Sequence, residues 1–363
     1  MRITLIAGAR PNFMKIAPII HALHKHNATK PKKLDYSLVH TGQHFDEKMS
    51  ETFFHELNIP SPDINLACGG GSQAEQTALI MVAFEKYLIS NPCDLVLVVG
   101  DVTSTLACSI VAKKMQIKVA HVEAGIRSFD LSMPEEINRM VTDSISDYFF
   151  TTTRWASQNL LNSGVPAEKI FFTGNVMIDT LYRNIQNFKE PQIWKEAKLQ
   201  KGNFLILTLH RPSNVDDLTQ LKGLMEAITN FSEDLKIVFP VHPRTRKMLL
   251  KIELNTDKLF LIDPLGYLEF NYLVSNAMGV ITDSGGITEE TTVLGIPCIT
   301  LRTTTERPET ISVGTNELIG NNPKDLELPM MNLISGKWKK GGIPEKWDGK
   351  AAERITEVLS NLV

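Results

Sequence analysis

Short runs of consecutive apolar, often β-branched residues alternate with helical patterns along almost the whole chain. No other feature restricts the fold as much. A run that is apolar at every position belongs to a strand covered on both faces. Such strands are joined by crossover helices, so the pattern implies right-handed βαβ units and parallel sheets. The runs predict strands at Ile3–Ala7, Tyr36–His40, Leu95–Val99, Val119–Val122 and Tyr148–Thr151, then at Phe204–Leu209, Lys236–Phe239, Leu259–Ile262, Val280–Thr282 and Cys298–Leu301. Helical periodicity falls at Phe13–His26, Gln73–Ser90, Ser104–Met115, Pro134–Ser146, Asp216–Asn230 and Ile287–Leu294.

The alternation lapses over a polar stretch, Asn187–Gly202, without clear periodicity, and restarts near Phe204. At roughly 150 residues per domain, 363 residues make two domains. The expected architecture is α/β: two Rossmann-like, doubly wound domains facing a central cleft. Residues 1–173 form the first and 174–350 the second, with the boundary near Gly174-Asn175-Val176. Gly341–Gly349 reads as a loop, and the last helix, Ala351–Leu362, is amphipathic. Open parallel sheets bind ligands beyond the carboxyl ends of their strands. The informative residues should therefore follow strands directly.

Composition removes several classes of function. The net charge of −3 gives no basic field for nucleic acid or a membrane surface. No apolar stretch approaches the ~18 residues of a membrane span. The first apolar run is too short for a secretory signal, and Arg10 and Lys15 follow it at once. Cys68, Cys93, Cys108 and Cys298 form no CxxC and read as reduced thiols of a cytoplasmic protein. HExxH, cysteine clusters and paired-histidine spacings are missing, so neither a metal nor a cofactor is expected.

The residues after the strands carry the chemistry. Gly8-Ala9-Arg10-Pro11-Asn12-Phe13-Met14-Lys15 joins the first strand to the first helix. Its glycine permits a tight turn, and two cations and helix amides favour an anion. It is neither a Walker loop nor a GxGxxG turn. Asp101, in Gly100-Asp101-Val102-Thr103, leaves a central strand as either a helix N-cap or a site carboxylate. Glu123 ends a buried strand, where an acid needs a partner or a function; Arg127 is a natural ion-pair partner. In Pro134-Glu135-Glu136-Ile137-Asn138-Arg139 the acids suit a helix start, and Glu135 and Arg139 have i,i+4 spacing.

In the second half, His210 and Arg211 follow the first strand, and His242 follows the next. Thr282-Asp283-Ser284-Gly285-Gly286 is a strand–turn–helix junction whose amides and Ser284 hydroxyl suit a diphosphate. Glu290 lies one turn further in, placed to accept ribose hydroxyls. Arg307 sits in a charged loop, Thr305-Glu306-Arg307-Pro308-Glu309.

Taken together, the chain resembles the non-hydrolysing UDP-N-acetylglucosamine 2-epimerase family. GARPNFMKIAPI, TGQHFD, GDVTSTLA, HVEAGIRS, PEEINR, GNVMID, LHRPSN, DSGGITEE and TERPE carry the resemblance in order, nearly end to end. It implies a fold like that of the GT-B glycosyltransferases, a homodimer, and a final helix, 351–363, that packs back on the first domain. It implies acid/base roles for Asp101, Glu123 and Glu135, with Lys15, Arg139 and His210 lining the catalytic site. Arg10, Phe270, Ser284, Gly285, Gly286, Glu290 and Arg307 match UDP contacts. Gln43, Glu136, Arg211 and His242 match positions used for activation by a second substrate molecule. The second family glutamine is Asp46 here, which leaves that activation open. Val102, Asn12 and Phe13 also depart from the usual motifs. GQHFDEKMSETFF and MPEEINR resemble a neighbouring branch acting on UDP-2,3-diacetamido uronic acids.

The hydrogen on carbon 2 of the sugar is not adjacent to a carbonyl. Epimerisation is therefore expected to proceed by loss of UDP, giving a 2-acetamidoglucal, and readdition on the other face. No redox step is needed. The rivals are a hydrolase or GT-B transferase, and a catalytically silent UDP-sugar sensor.

Overall fold

The computed structural model describes residues 1–43, 58–254 and 257–362, but not the side chain of Arg10. The position of Asp46 thus lies outside the described residues. The chain forms two compact units: Met1–Arg183 with Glu345–Val363, and Asn184–Pro344.

The first unit is built on β1 (Arg2–Ala7), β2 (Asp35–His40), β3 (Ile64–Asn65), β4 (Leu95–Val99), β5 (Lys118–Val122), β6 (Tyr148–Thr151) and β7 (Ile170–Phe172). Among the described residues these form one sheet in the order β3-β2-β1-β4-β5-β6-β7. All pairings are parallel, with Leu5 opposite Leu97 and Val98 opposite His121. Its helices are α1 (Arg10–Thr29), α2 (Gln73–Ser90), α3 (Thr103–Lys114), α4 (Pro134–Ile145), α5 (Arg154–Asn162) and α6 (Val176–Asn184).

The second unit contains α7 (Gln192–Glu196), β8 (Phe204–Thr208), α8 (Pro212–Val215), α9 (Leu218–Phe231), β9 (Lys236–Pro240), α10 (Pro243–Leu249), β10 (Leu259–Ile262), α11 (Tyr267–Asn276), β11 (Gly279–Thr282), α12 (Gly285–Leu294), β12 (Cys298–Thr300), α13 (Pro308–Ser312), β13 (Asn316–Leu318) and α14 (Glu327–Ile334). Its parallel sheet runs β10-β9-β8-β11-β12-β13. Each sheet follows the Rossmann order 3-2-1-4-5-6, so strand order reverses between β1 and β4 and again between β8 and β11.

The continuous apolar runs are explained by burial on both faces. Leu205, Leu207, Ile237 and Phe239 join one core cluster, while Phe204, Ile206 and Val238 join another. In the first unit all of β4, Leu95 to Val99, is buried, and Val96 and Val98 pack with Phe84 and Cys108. Among the described residues no helix is long and apolar enough to cross a membrane.

Two sequence expectations are corrected. The helix expected over Asp216–Asn230 is present as α9, which starts at Leu218 because the Asp217 carboxylate accepts the Thr219 and Gln220 amides. The aperiodic stretch Asn187–Gly202 contains α7, whose Trp194 packs edge-on against Phe204 and Tyr272. The first unit also continues past residue 173 to take in α6, whose Thr180 hydroxyl donates to the Met14 carbonyl of α1 (2.5 Å).

The last segment belongs to the first unit. Trp347 is fully buried, and its indole donates to the Thr152 carbonyl (3.2 Å). The final helix, α15 (Ala351–Asn361), lies on α1. Its first amides, from Ala351 and Ala352, donate to the Asp179 carboxylate of α6 (3.0 and 2.7 Å). Trp347→Ala should cost the first unit about 3–5 kcal/mol, the scale of a large aromatic lost from a core. Urea denaturation monitored on that unit checks it; a loss under about 1 kcal/mol would mean that the site collapses without a cavity.

Candidate active site

In the first unit the polar groups gather at the carboxyl ends of β1, β4 and β5, beside the reversal of strand order. Asn12, buried in the first turn of α1, ties these ends together. Its Oδ1 accepts the Gly8 and Ala9 amides (3.2 and 2.9 Å), and its Nδ2 donates to the Val99 carbonyl of β4 (2.9 Å). One turn on, Lys15 Nζ donates to Glu123 Oε2 (2.6 Å). Glu123 is buried at φ +70°, a left-handed conformation costing on the order of 1–3 kcal/mol for such a residue. Its amide and that of Ala124 both donate to the Phe150 carbonyl of β6 (3.0 and 3.1 Å) and hold the turn. Gly100 also has positive φ, +70°, and a Cβ there would lie 3.0 Å from Lys15 Nζ and 3.6 Å from Glu123 Oε2. A side chain at position 100 would thus press on the ion pair.

Asp101 is partly exposed and is not the N-cap of α3, which is Val102. Its carboxylate instead pairs with Arg139, and its carbonyl accepts from Asn138 (2.8 Å). Arg139 also reaches Glu136 (2.7 Å), one turn back on α4, in place of the expected Glu135. Glu136 is fully buried and accepts the Ser128 and Phe129 amides as well (2.9 and 3.1 Å). Glu135 is exposed in the first turn of α4. The expected Glu123–Arg127 pair does not form: Lys15 takes Glu123, and Arg127 pairs with Asp143 (2.6 Å). Gln43 accepts from the Ser104 amide and hydroxyl at the start of α3 (3.1 and 2.8 Å).

In the second unit Asp283, fully buried after β11, organises the neighbouring loops. It pairs with His210 Nδ1 (2.7 Å) and accepts the Arg211 amide (2.9 Å) and Asn214 Nδ2 (3.2 Å). Burial alone would raise its carboxyl, but hydrogen bonds from His210 and the backbone hold it below the usual range. Arg211 Nε donates to the Asp283 carbonyl (2.9 Å). Ser284 stands at the N-terminal end of α12, where the first N–H groups have no partner within the helix and the Ser284 hydroxyl takes none of them. A Cβ at Gly285 would collide with the Glu306 carboxylate, whereas Gly286 borders open space. Arg307 pairs with Glu289, and Glu290 is buried near Asn271. Phe270 is half-buried against the core, and exposed His242 caps α10 by accepting the Arg244 amide (3.3 Å). Among the described residues no group of three or more His, Cys, Asp or Glu is placed to hold a metal ion.

Sequence reasoning gave no role to Asn12, Asp283, Arg302 or Glu306. Arg302 pairs with Glu306 (2.7 Å). Burial opposes ionisation of Glu306, but Arg302, then Arg307 and Arg211, pull it down to about 2. Burial instead pushes Glu309 up to about 7, despite Arg307 beside it, with Glu289 and Glu306 adding to the rise.

The second unit thus presents helix amides and arginines that suit an anion. The first presents ionisable carboxylates held by cations, which suit proton transfer. Comparison with known proteins gives the family. The family model for UDP-N-acetylglucosamine 2-epimerase matches residues 26–360. The chain is 42% identical over 372 residues to UDP-N-acetylglucosamine 2-epimerase of Methanocaldococcus jannaschii, covering 99% of both chains. It is 38% identical over 365 residues to UDP-2,3-diacetamido-2,3-dideoxy-D-glucuronate 2-epimerase of Pseudomonas aeruginosa, covering both in full. The crystal structure of the M. jannaschii enzyme with UDP-GlcNAc and UDP superposes with a TM-score of 0.88 at 42% identity, covering 99% of this chain and 100% of that one.

The state of Glu309 makes a stability prediction. Its folded value, about 7, lies above the ordinary 4.5, so the folded state holds this proton more tightly. That contribution is complete below pH 4.5 and is lost as the pH rises through 7. Glu309→Gln, neutral throughout, should therefore gain on wild type across this interval, by on the order of 3 kcal/mol above it. Denaturation of both proteins at a series of pH values checks this; a difference independent of pH would contradict it. The chain is an epimerase and belongs to the UDP-N-acetylglucosamine 2-epimerase family.

Proposed function

We propose that this chain interconverts UDP-N-acetylglucosamine and UDP-N-acetylmannosamine by reversible elimination of UDP. The observation that carries the reading is the pair of cation-held carboxylates, Lys15–Glu123 and Arg139–Asp101, at adjacent strand exits. A transferase has no need of acid/base groups for carbon 2. The α12 turn, Ser284 to Gly286, and Arg307 hold the diphosphate; Arg10 adds charge, Phe270 meets the uracil and Glu290 the ribose. Their donors stabilise UDP as the bond from carbon 1 breaks. A carboxylate among Asp101, Glu123 and Glu135 takes the carbon-2 proton, and a second returns one to the opposite face. Lys15 and Arg139 hold the Glu123 and Asp101 carboxylates in place, and His210 serves the leaving group. Gln43, Glu136, Arg211 and His242 are the positions through which a second substrate molecule would act.

The full-length match to the Pseudomonas enzyme favours a second reading, a UDP-2,3-diacetamido uronic acid as substrate. In either case a cytoplasmic homodimer supplying polysaccharide assembly completes the account. Leu79, Val82 and Ile89, exposed along α2, offer a face for the second copy.

Proton NMR of the purified enzyme with UDP-N-acetylglucosamine in deuterated water should show UDP-N-acetylmannosamine and deuterium at carbon 2. Turnover of the diacetamido uronate alone would select the second reading. Release of free sugar would overturn both. Asp101→Asn, Glu123→Gln and Glu135→Gln should each lower kcat at least about a hundredfold; wild-type turnover in all three would remove the mechanism.

A further inference from the structure

His121 takes no part in the chemistry above, yet it is fully buried on β5, two residues before Glu123. Its Nε2 lies 2.8 Å from the Gly100 carbonyl oxygen, and its Nδ1 lies 2.7 Å from Asp143 Oδ1. A carbonyl oxygen only accepts, so Nε2 must carry a hydrogen. Asp143 also accepts the Gly125 amide (3.1 Å) and Arg127 (2.6 Å). Both of these contacts are donors on Oδ2, and the buried Arg127 guanidinium pairs with the group as a carboxylate. An ionised carboxylate also only accepts, so Nδ1 carries a hydrogen as well.

Charge points the same way. The ion pairs around this turn include four carboxylates, of Asp101, Glu123, Glu136 and Asp143, and three fixed cations, Lys15, Arg127 and Arg139. A second proton on the buried ring cancels the remaining negative charge, which burial would otherwise make costly.

We infer that His121 is a buried imidazolium that positions the Gly100–Asp101 turn and balances the carboxylates around it. The inference rests on the acid/base role proposed for Asp101 and Glu123. The Gly100 peptide is held by β5 at both ends: its amide donates to the Val122 carbonyl (3.0 Å) and its carbonyl accepts from His121. Asp101 follows directly. His121 touches no substrate in this scheme; it is a positioning residue.

The charge is read on the wild-type protein labelled with 15N-histidine. Long-range proton–nitrogen correlation at pH 7.5, assigned through the His121 backbone, should show both ring nitrogens protonated. One unprotonated ring nitrogen would overturn the inference, whether or not the enzyme turns over a UDP-sugar. Failure of the functional reading is thereby kept separate. His121→Gln tests the positioning. Its kcat should fall at least about tenfold, with KM changed less than about threefold. The acid limb of its kcat–pH profile should move to higher pH, since a cation behind the carboxylates is gone. A folded variant with wild-type kcat and an unmoved limb would overturn the positioning role.

Discussion

The ion pairing of Arg139 with Asp101 and Glu136 organises the strand exits of the first unit. A guanidinium this deeply buried is stable only if its charge is met and its donors are occupied. Glu136 does both from one side and fixes α4 to the loop carrying Ser128 and Phe129. Asp101 does so from the other and, being partly exposed, keeps a carboxylate accessible. Loss of either carboxylate would leave a buried charge half-paired, a change that typically costs about 3–5 kcal/mol.

The second unit solves a different problem. Its central acid, Asp283, is buried and occupied, so it shapes loops without offering charge to a ligand. His210, Arg211 and the start of α12 are thereby oriented around one strand exit. The crowding at Gly285 and the open space at Gly286 show why adjacent glycines serve different ends. The first admits the Glu306 carboxylate against the turn, and the second leaves backbone exposed.

Much of this was legible in the sequence, for a physical reason. Leu95–Val99 and Phe204–Thr208 are central strands buried on both faces, so every position is apolar. Edge strands are less constrained, and β3, β7 and β13 passed unnoticed because they are short and not fully buried. The motif residues were legible because they follow strands. Their partners were not. Spacing suggested Glu135 for Arg139 and Arg127 for Glu123, but Arg139 reached across to β4 and Lys15 arrived from α1, contacts that only the sheet order creates. Asn12 looked like a departure from a motif, and its role as a tie between β1 and β4 requires the two strands to be adjacent.

At the centre of the account, carbon 2 is inverted only after the bond between carbon 1 and the diphosphate oxygen has broken. Positional isotope exchange measures that step. With 18O in the bridging oxygen between carbon 1 and the β-phosphorus, reversible elimination should scramble the label into the non-bridging β-phosphate positions as epimerisation proceeds. Epimerised product that retains all of its label in the bridge would contradict the account.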